Sequence, residues 1–449
     1  MVDAISARAR STLGRQVRRG MSWNAINLVV NKGSSVLVRL LLARLLAPEH
    51  FGLIAMILVQ LELVKIFVDF GLKNALVQRE RDGNSLVRYD SAFWFLLGGG
   101  LGWTALFMLV GIPVMVWFFD EKQLTNLALV MGASIFLHSL SILPEVRLTR
   151  RMKFKSIVIA EVMATVVASI VAIVLAFAGA GVWALAAQQI LTVGIRTIVL
   201  WQLGRWRPRW RYSWTVLRDL VGFSGWMLAV RVSDHMRFNM DKVIIGAILG
   251  SSPLGIYTIS LLFTEQLRAQ FSFVISRVYL PVFSRLQGDQ ASLAQQFYDA
   301  ANRICLLIFP AAVIVFRFSD EIVAWSLDEA WSESAQVVEI MSISVMVYAI
   351  SGPSPELLIA KCKPEVVFKT LFYNTMLITL PLSVFLTTNY ALSGAATAGL
   401  LSMTTLRLSL FLGAWKIGGL KARRFLCAIA PGVILGAILL LLSTYIFEL

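Results

Sequence analysis

The sequence predicts an all-α polytopic membrane protein of about 13 transmembrane helices (12–14), arranged as two parallel-repeat six-helix lobes plus a C-terminal helix. Three observations predict it. The 449 residues are 58% hydrophobic and 15% charged, with a mean hydropathy of +0.75, which no soluble domain combines. Apolar runs of roughly 20 residues recur along the whole length, each long enough to cross a hydrocarbon core of about 30 Å as a helix. The segment SWNAINLVVNKGSSVLVRLLLARLLAPEHFGLIAMI (22–57) returns, 203 residues later and without a gap, as GWMLAVRVSDHMRFNMDKVIIGAILGSSPLGIYTIS (225–260). In that register Trp23 falls over Trp226, Arg39 over Lys242, Gly52 over Gly255, Glu62 over Glu265, Lys65 over Arg268 and Phe70 over Phe273. Coinciding charges weigh more than coinciding apolar residues, because ionisable groups inside a membrane are rare and costly.

In chain order, 1–19 form a basic N-terminus and 20–203 a first lobe with spans near 20–46, 51–73, 91–118, 124–144, 156–178 and 181–203. Residues 204–218 form a basic, Trp-rich linker. A second lobe, 219–415, holds spans near 219–249, 254–276, 300–318, 335–359, 366–388 and 391–415, and 416–449 carry one further span near 425–446. Six spans before the linker make the repeat parallel, the arrangement in which two bundles related by an axis along the membrane normal enclose a cavity. Gly98, Gly99, Gly100 and Gly102 of the third span read as close helix packing rather than a phosphate loop, since no strand precedes them. The stretch 278–297 is too polar to span and reads as an amphipathic connector.

The net charge of +15 lies almost wholly on alternate loops, from Arg8 to Arg19, Lys73 to Arg88, Arg147 to Lys155, Arg205 to Arg218 and Lys416 to Arg424, while the intervening loops hold short or acidic sequences. By the positive-inside rule the N-terminus is cytoplasmic and Leu449 lies outside. That pattern sets aside nucleic acid as a partner. The linker alternates Arg with Trp206, Trp210 and Trp214, and reads as an interfacial strap ahead of a gatherer of lipid headgroups. Cys305, Cys362 and Cys427 have neither metal spacing nor an oxidising setting. No GxxxxGK[ST] sequence is present, so ATP hydrolysis is not expected, and no cofactor or metal is implied.

Four helices carry polar stripes. Span one has Asn27, Asn31, Lys32 and Arg39; span two Glu62, Lys65 and Asp69; span seven Arg231, Asp234, Arg237, Asp241 and Lys242; span eight Glu265 and Arg268. Steps of three and four place each set on one broad face. A bland reading pairs acid with base, Glu62 with Lys65 and Asp234 with Arg231, to neutralise charge and lock the bundle. Locking does not require a dozen ionisable groups, however. The cationic surplus implies an anionic substrate group, for which Lys32, Arg39, Lys65, Arg231, Lys242, Arg268, Asn27 and Asn31 are the candidate binding residues. Glu62, Asp69, Asp234, Asp241 and Glu265 are the candidates for coupling to a proton or sodium gradient. Glu161, His138, Arg196, Gln188, Gln189, Glu339, Glu356 and Arg407 read as interhelical hydrogen-bond partners or as groups near span ends.

The stretch 22–78, with LLARLLAPEHFGLIAM and VDFGLKNALVQRE, resembles the N-terminal signature of bacterial polysaccharide transporters, the lipid-linked oligosaccharide flippases of the multidrug/oligosaccharidyl-lipid/polysaccharide exporter superfamily. DKVIIGAILGSSPLGIYTIS (241–260), YLPVFSRLQGD (279–289) and FSDEIVAW (318–325) are similar to that family's corresponding segments. The resemblance implies two six-helix lobes, alternating access, residence in the bacterial inner membrane and export of undecaprenyl-diphosphate-linked oligosaccharide, with membrane lipids and polysaccharide polymerase machinery as partners. Members commonly have 12 or 14 spans, from which the expected 13 departs. A drug/cation antiporter of the same superfamily would favour an acidic cavity with aromatics, whereas this first stripe is basic and Asn-rich. A glycan polymerase or ligase would need catalytic groups on a substantial outward loop, and the largest, near 319–334, is only about 16 residues.

Overall fold

The computed structural model describes residues 33–78 and 85–447, and every described element is helical. It divides into two compact units, Met1–Asn239 and Met240–Leu449, so the division falls inside a long helix that follows the linker.

In the first unit, α1 (Gly33–Leu45) and α2 (Pro48–Asp69) are separated by a short turn, and Pro48 starts α2 where its missing N–H is no loss. Phe70 and Gly71, both at positive φ, end α2 and admit α3 (Leu72–Gln78). Expected span two is therefore broken near its end. Then come α4 (Ser85–Leu106), a π-helical turn at Phe107–Gly111, α5 (Ile112–Phe119), α6 (Leu124–Arg150), α7 (Phe154–Phe177) and α8 (Val182–Gly204). Helix α6 packs against α2, α4 and α8, and its buried Leu127, Met131, Ile135, Ile142 and Val146 fill the centre. Helix α7 meets α8 along a stripe at Ala160, Ala164, Ala168, Ala172 and Ala176, a four-residue repeat of small side chains that lets two backbones approach in lipid. Of the four glycines in expected span three, Gly100 alone has a close neighbour among the described residues: a Cβ there would meet Ser139 Cβ at 2.6 Å, whereas Gly98, Gly99 and Gly102 meet none of them within 4 Å. The packing reading thus holds for one glycine and fails for three.

Helix α9 (Trp214–Leu249) runs from the first unit into the second. The second unit continues with α10 (Ser251–Arg285), α11 (Gln290–Arg317), α12 (Ser319–Ser326), α13 (Ser334–Ser351), α14 (Ser354–Ala360) and α15 (Pro364–Tyr373), then a π-helical segment Asn374–Thr379, α16 (Leu380–Gly418) and α17 (Ala422–Phe447). Helix α13 is flanked by α10, α11 and α16. The 203-residue offset carries Pro48, the first residue of α2, onto Ser251, the first residue of α10, so the repeat read in the sequence is also a repeat of helix starts. The expected connector 278–297 is corrected: α10 continues to Arg285, α11 begins at Gln290, and only 286–289 form a turn. Its amphipathic pattern belongs to the ends of two helices. Gly352 (φ 61°) splits expected span ten into α13 and α14, and Tyr390 with Ala391 (φ 49°) breaks α16 where the sequence places a loop.

Helix α17 is an integral part of the second unit. A Cβ at Gly432 would lie 2.6 Å from the backbone carbon of Cys305, and one at Gly436 would lie 2.6 Å from the Phe309 ring, so both glycines permit close contact with α11. Among the described residues nine helical stretches are long and apolar enough to cross a membrane, and one of them, 365–418, contains the break at Tyr390. Helices α9 and α10 are absent from the nine because charged and polar groups interrupt them.

Candidate functional site

Two ion pairs form on single helices at positions related by the repeat. On α2, Lys65 Nζ donates to Glu62 Oε1 at 2.9 Å; on α10, Arg268 Nε donates to Glu265 Oε1 at 2.9 Å and its Nη2 meets the other carboxylate oxygen. Residues three apart on a helix are neighbours on its surface, so the spacing alone licenses the pairs. In both, the base is the buried member: Lys65 is 10% exposed against 55% for Glu62, and Arg268 is 14% exposed against 35% for Glu265.

Other pairs join separate helices. Arg231 on α9 meets Asp69 Oδ2 at the end of α2, while Asp69 Oδ1 accepts the backbone N–H of Lys73 at 3.2 Å. His235, one turn on, lies with its Nε2 3.0 Å from the carbonyl oxygen of Val59. The expected pairing of Asp234 with Arg231 is therefore corrected. Arg231 takes the more deeply buried Asp69, and Asp234, largely exposed, lies 3.6 Å from Arg237, whose guanidinium stacks 3.7 Å over the Phe238 ring. At the start of the second unit Tyr257 donates to Asp241 Oδ2 at 2.8 Å and the backbone N–H of Lys242 to Oδ1 at 2.9 Å. Arg39 lies exposed on α1 and has no carboxylate partner among the described residues. Lys242, its repeat counterpart, is half-buried on α9. Asn27, Asn31 and Lys32 lie outside the described residues.

Sequence reasoning missed Glu145. Its carboxylate, 11% exposed on α6, accepts from Lys73 of α3 at 2.7 Å and faces Arg196 of α8 at 3.0 Å, and Arg196 also lies 3.6 Å from Glu161 of α7. One acid thus ties together helices far apart in the chain. A second polar knot surrounds the π-helical segment of the second unit, where Asn374 Nδ2 donates to Thr405 Oγ1 at 2.8 Å and Thr379 meets Ser402. Among the described residues no group of three or more His, Cys, Asp or Glu could hold a metal ion.

The linker is a strap on the first unit. Trp210 stacks on Trp94 at 4.1 Å, Trp206 stacks on Trp201 at 5.8 Å beneath the Arg147 guanidinium, the Arg209 N–H donates to Asp90 at 3.2 Å, and the Ser213 N–H donates to Ser91 Oγ at 2.9 Å.

A family model described as "Polysaccharide biosynthesis protein" matches residues 41–336. The lipopolysaccharide biosynthesis protein WzxC of Escherichia coli (strain K12) is 23% identical over 365 residues, 80% of this chain and 73% of that protein. The succinoglycan biosynthesis transport protein ExoT of Rhizobium meliloti (strain 1021) is 23% identical over 339 residues, 74% of this chain and 66% of that protein. Among solved structures, the lipid II flippase MurJ in an inward closed conformation superimposes with a TM-score of 0.74 at 12% identity, over 95% of this chain and 98% of that one, a likeness of fold.

Proposed function

Because the chain belongs to the polysaccharide biosynthesis protein family, we propose that it is a membrane transporter rather than an enzyme and flips undecaprenyl-diphosphate-linked oligosaccharide repeat units across the bacterial inner membrane by alternating access, with its N-terminus in the cytoplasm. The observation that carries this reading is the pair of repeat-related ion pairs, Glu62 with Lys65 and Glu265 with Arg268. Neither ion pair in itself joins two helices, yet each holds a buried cation in a membrane helix at a cost of several kcal/mol if left alone. An anionic substrate supplies the reason to keep both. The carboxylate, as the more accessible partner, occupies the cation when no diphosphate is present, and protonating it leaves the cation to the diphosphate oxygens. Proton coupling then needs no nucleotide. Sodium could serve the same exchange by holding the carboxylate. The names of WzxC, ExoT and MurJ support a lipid-linked glycan over a drug cation, and the polysaccharide polymerase machinery would receive the flipped unit.

The test is reconstitution of the purified protein in vesicles with a fluorescent undecaprenyl-diphosphate oligosaccharide. Expected is movement of label to the opposite leaflet, faster under an imposed proton or sodium gradient. In Glu62→Gln and Glu265→Gln, label still crosses while the response to the gradient falls. Movement of cationic dyes without the lipid would favour the drug antiporter, and lengthened glycan products would favour a polymerase or ligase.

A further inference from the structure

A cavity of about 470 Å³ opens between the first turns of α17 and the second to fourth turns of α11, lined by Tyr298, Asp299, Asn302, Arg423, Arg424 and Cys427. Its place along both helices is telling. On α11 the polar residues lead directly into the apolar run 304–316, and on α17 the two arginines precede the apolar run 425–442. Both helices therefore cross from polar to apolar sequence at the cavity, which sets it at the depth of lipid headgroups. The walls are held together: Gly432 brings the two backbones into contact one turn beyond Cys427, and the Tyr298 hydroxyl accepts the Lys421 N–H at 2.6 Å.

The cavity carries both signs of charge without pairing them. Arg423 and Arg424 are exposed and are ion-paired neither with Asp299 nor with any other carboxylate among the described residues. Among the described residues Asp299 accepts from the Gln295 amide alone, at 3.1 Å. Acid and bases that face one space yet do not touch are complementary to a ligand with an anionic and a cationic end. A purely anionic headgroup would suit the arginines and be repelled by Asp299. A headgroup whose nitrogen is fully methylated could not donate to the carboxylate. We propose that this cavity binds a phospholipid headgroup with a phosphate and a primary ammonium, of the phosphatidylethanolamine type. Arg423 and Arg424 hold the phosphate, and the Asp299 carboxylate accepts from the ammonium.

Cys427 in the cavity wall supplies the reporter. Full-length protein with Cys362→Ser is reconstituted in vesicles of phosphatidylglycerol with either phosphatidylethanolamine or phosphatidylcholine, and alkylation of Cys427 by N-ethylmaleimide is timed. The same measurement on Cys362, in Cys427→Ser protein, corrects for partitioning of the reagent. Expected is alkylation of Cys427 about tenfold slower with phosphatidylethanolamine, the protection given by a site about nine-tenths occupied. Asp299→Asn keeps the side-chain shape and the bond to Gln295 and should erase the difference between the two lipids; Arg423→Gln with Arg424→Gln should abolish protection altogether. Equal rates in the two vesicles, or discrimination that survives Asp299→Asn, would overturn the proposal. Equal protection by soluble phosphoethanolamine added to phosphatidylcholine vesicles would overturn the lipid as its source.

Discussion

Replacing Glu145 with Gln should destabilise the first unit by an amount the geometry sets. Removing one partner of a buried ion pair costs about 3–5 kcal/mol, because the remaining charge is stranded away from water. Here the loss is softened at both ends. Lys73 is 35% exposed and can turn to solvent, and Arg196 keeps Glu161 at 3.6 Å. About 2–3 kcal/mol remains, which at roughly 2–4 °C per kcal/mol lowers the midpoint by about 4–12 °C. Thermal unfolding in detergent, followed by the fluorescence of the strap tryptophans, reads the shift. Glu321→Gln, which removes an exposed pair with Arg317 at 3.8 Å, serves as the control and should cost about 0–1 kcal/mol. The sharper test is the double variant. Glu145 and Glu161 against Lys73 and Arg196 make a neutral quartet, so Glu145→Gln leaves one base in surplus and Arg196→Gln added to it restores the balance. The double variant should therefore be more stable than the sum of the singles by about 0.5–3 kcal/mol. Strictly additive losses would refute the network.

Gly432→Ala, whose Cβ has nowhere to go against Cys305, should cost about 1–3 kcal/mol and loosen α17 from α11, whereas Gly102→Ala should leave folded yield unchanged; equal yields for both would show that the contact is not made. Asp289 caps α11, accepting from Ser292 Oγ and from the Ser292 and Ala291 N–H groups, and the Ser292 bonds hold its carboxyl below the usual value of 3.8. A lowered folded pKa stabilises above the ordinary value and is lost as pH falls through the lowered one, so hydrogen exchange near 291–295 should be faster in Asp289→Ala at neutral pH and converge with wild type in strong acid. A difference that persists in strong acid would show that the charge is not what caps the helix. Neutralising Arg39 or Lys242 should reduce glycan export at unchanged protein level, with Lys and Arg exchanges milder because charge is the shared property. Full export by the double Ala variant sinks that assignment.

The fold class was legible because hydropathy is a property of consecutive residues, and so was the repeat, since an ungapped offset of 203 aligns helix starts as well as charges. Pairs within one helix were legible for the same reason: Glu62 with Lys65 needs only a three-residue spacing. Pairs between helices were not. Lys73 lies 72 residues from Glu145, and Arg231 lies 162 from Asp69, and nothing in a single sequence says which helices are neighbours. Sequence spacing alone therefore pairs Arg231 with Asp234, its nearest acid along the chain. The four glycines near 100 failed in a related way, because packing on Ser139 depends on which way one residue faces. The break at Gly352 lies within an apolar run whose hydropathy carries no mark of it, whereas the break at Ala391 falls where the sequence itself places a loop.

The distinction between pairs on one helix and pairs across helices also sorts the five acids considered for coupling. Asp69 is 6% exposed and engaged at both oxygens, by Arg231 and by the Lys73 N–H, so protonating it would release α9 from α2 and open the start of α3 together. That makes it a structural anchor, and its loss should be read in folded protein rather than in transport. Asp241 is likewise held at both oxygens, by Tyr257 and the Lys242 N–H. Asp234 is exposed and only loosely paired at 3.6 Å, so its ionisation shifts little else. Glu62 and Glu265 differ from all three. Each is the accessible half of a pair whose buried half carries the charge an anionic substrate would meet, and each can gain a proton without unlocking a helix contact. Because a group that couples must change state at every cycle while the fold persists, these two acids are the ones whose substitution should separate gradient response from folding.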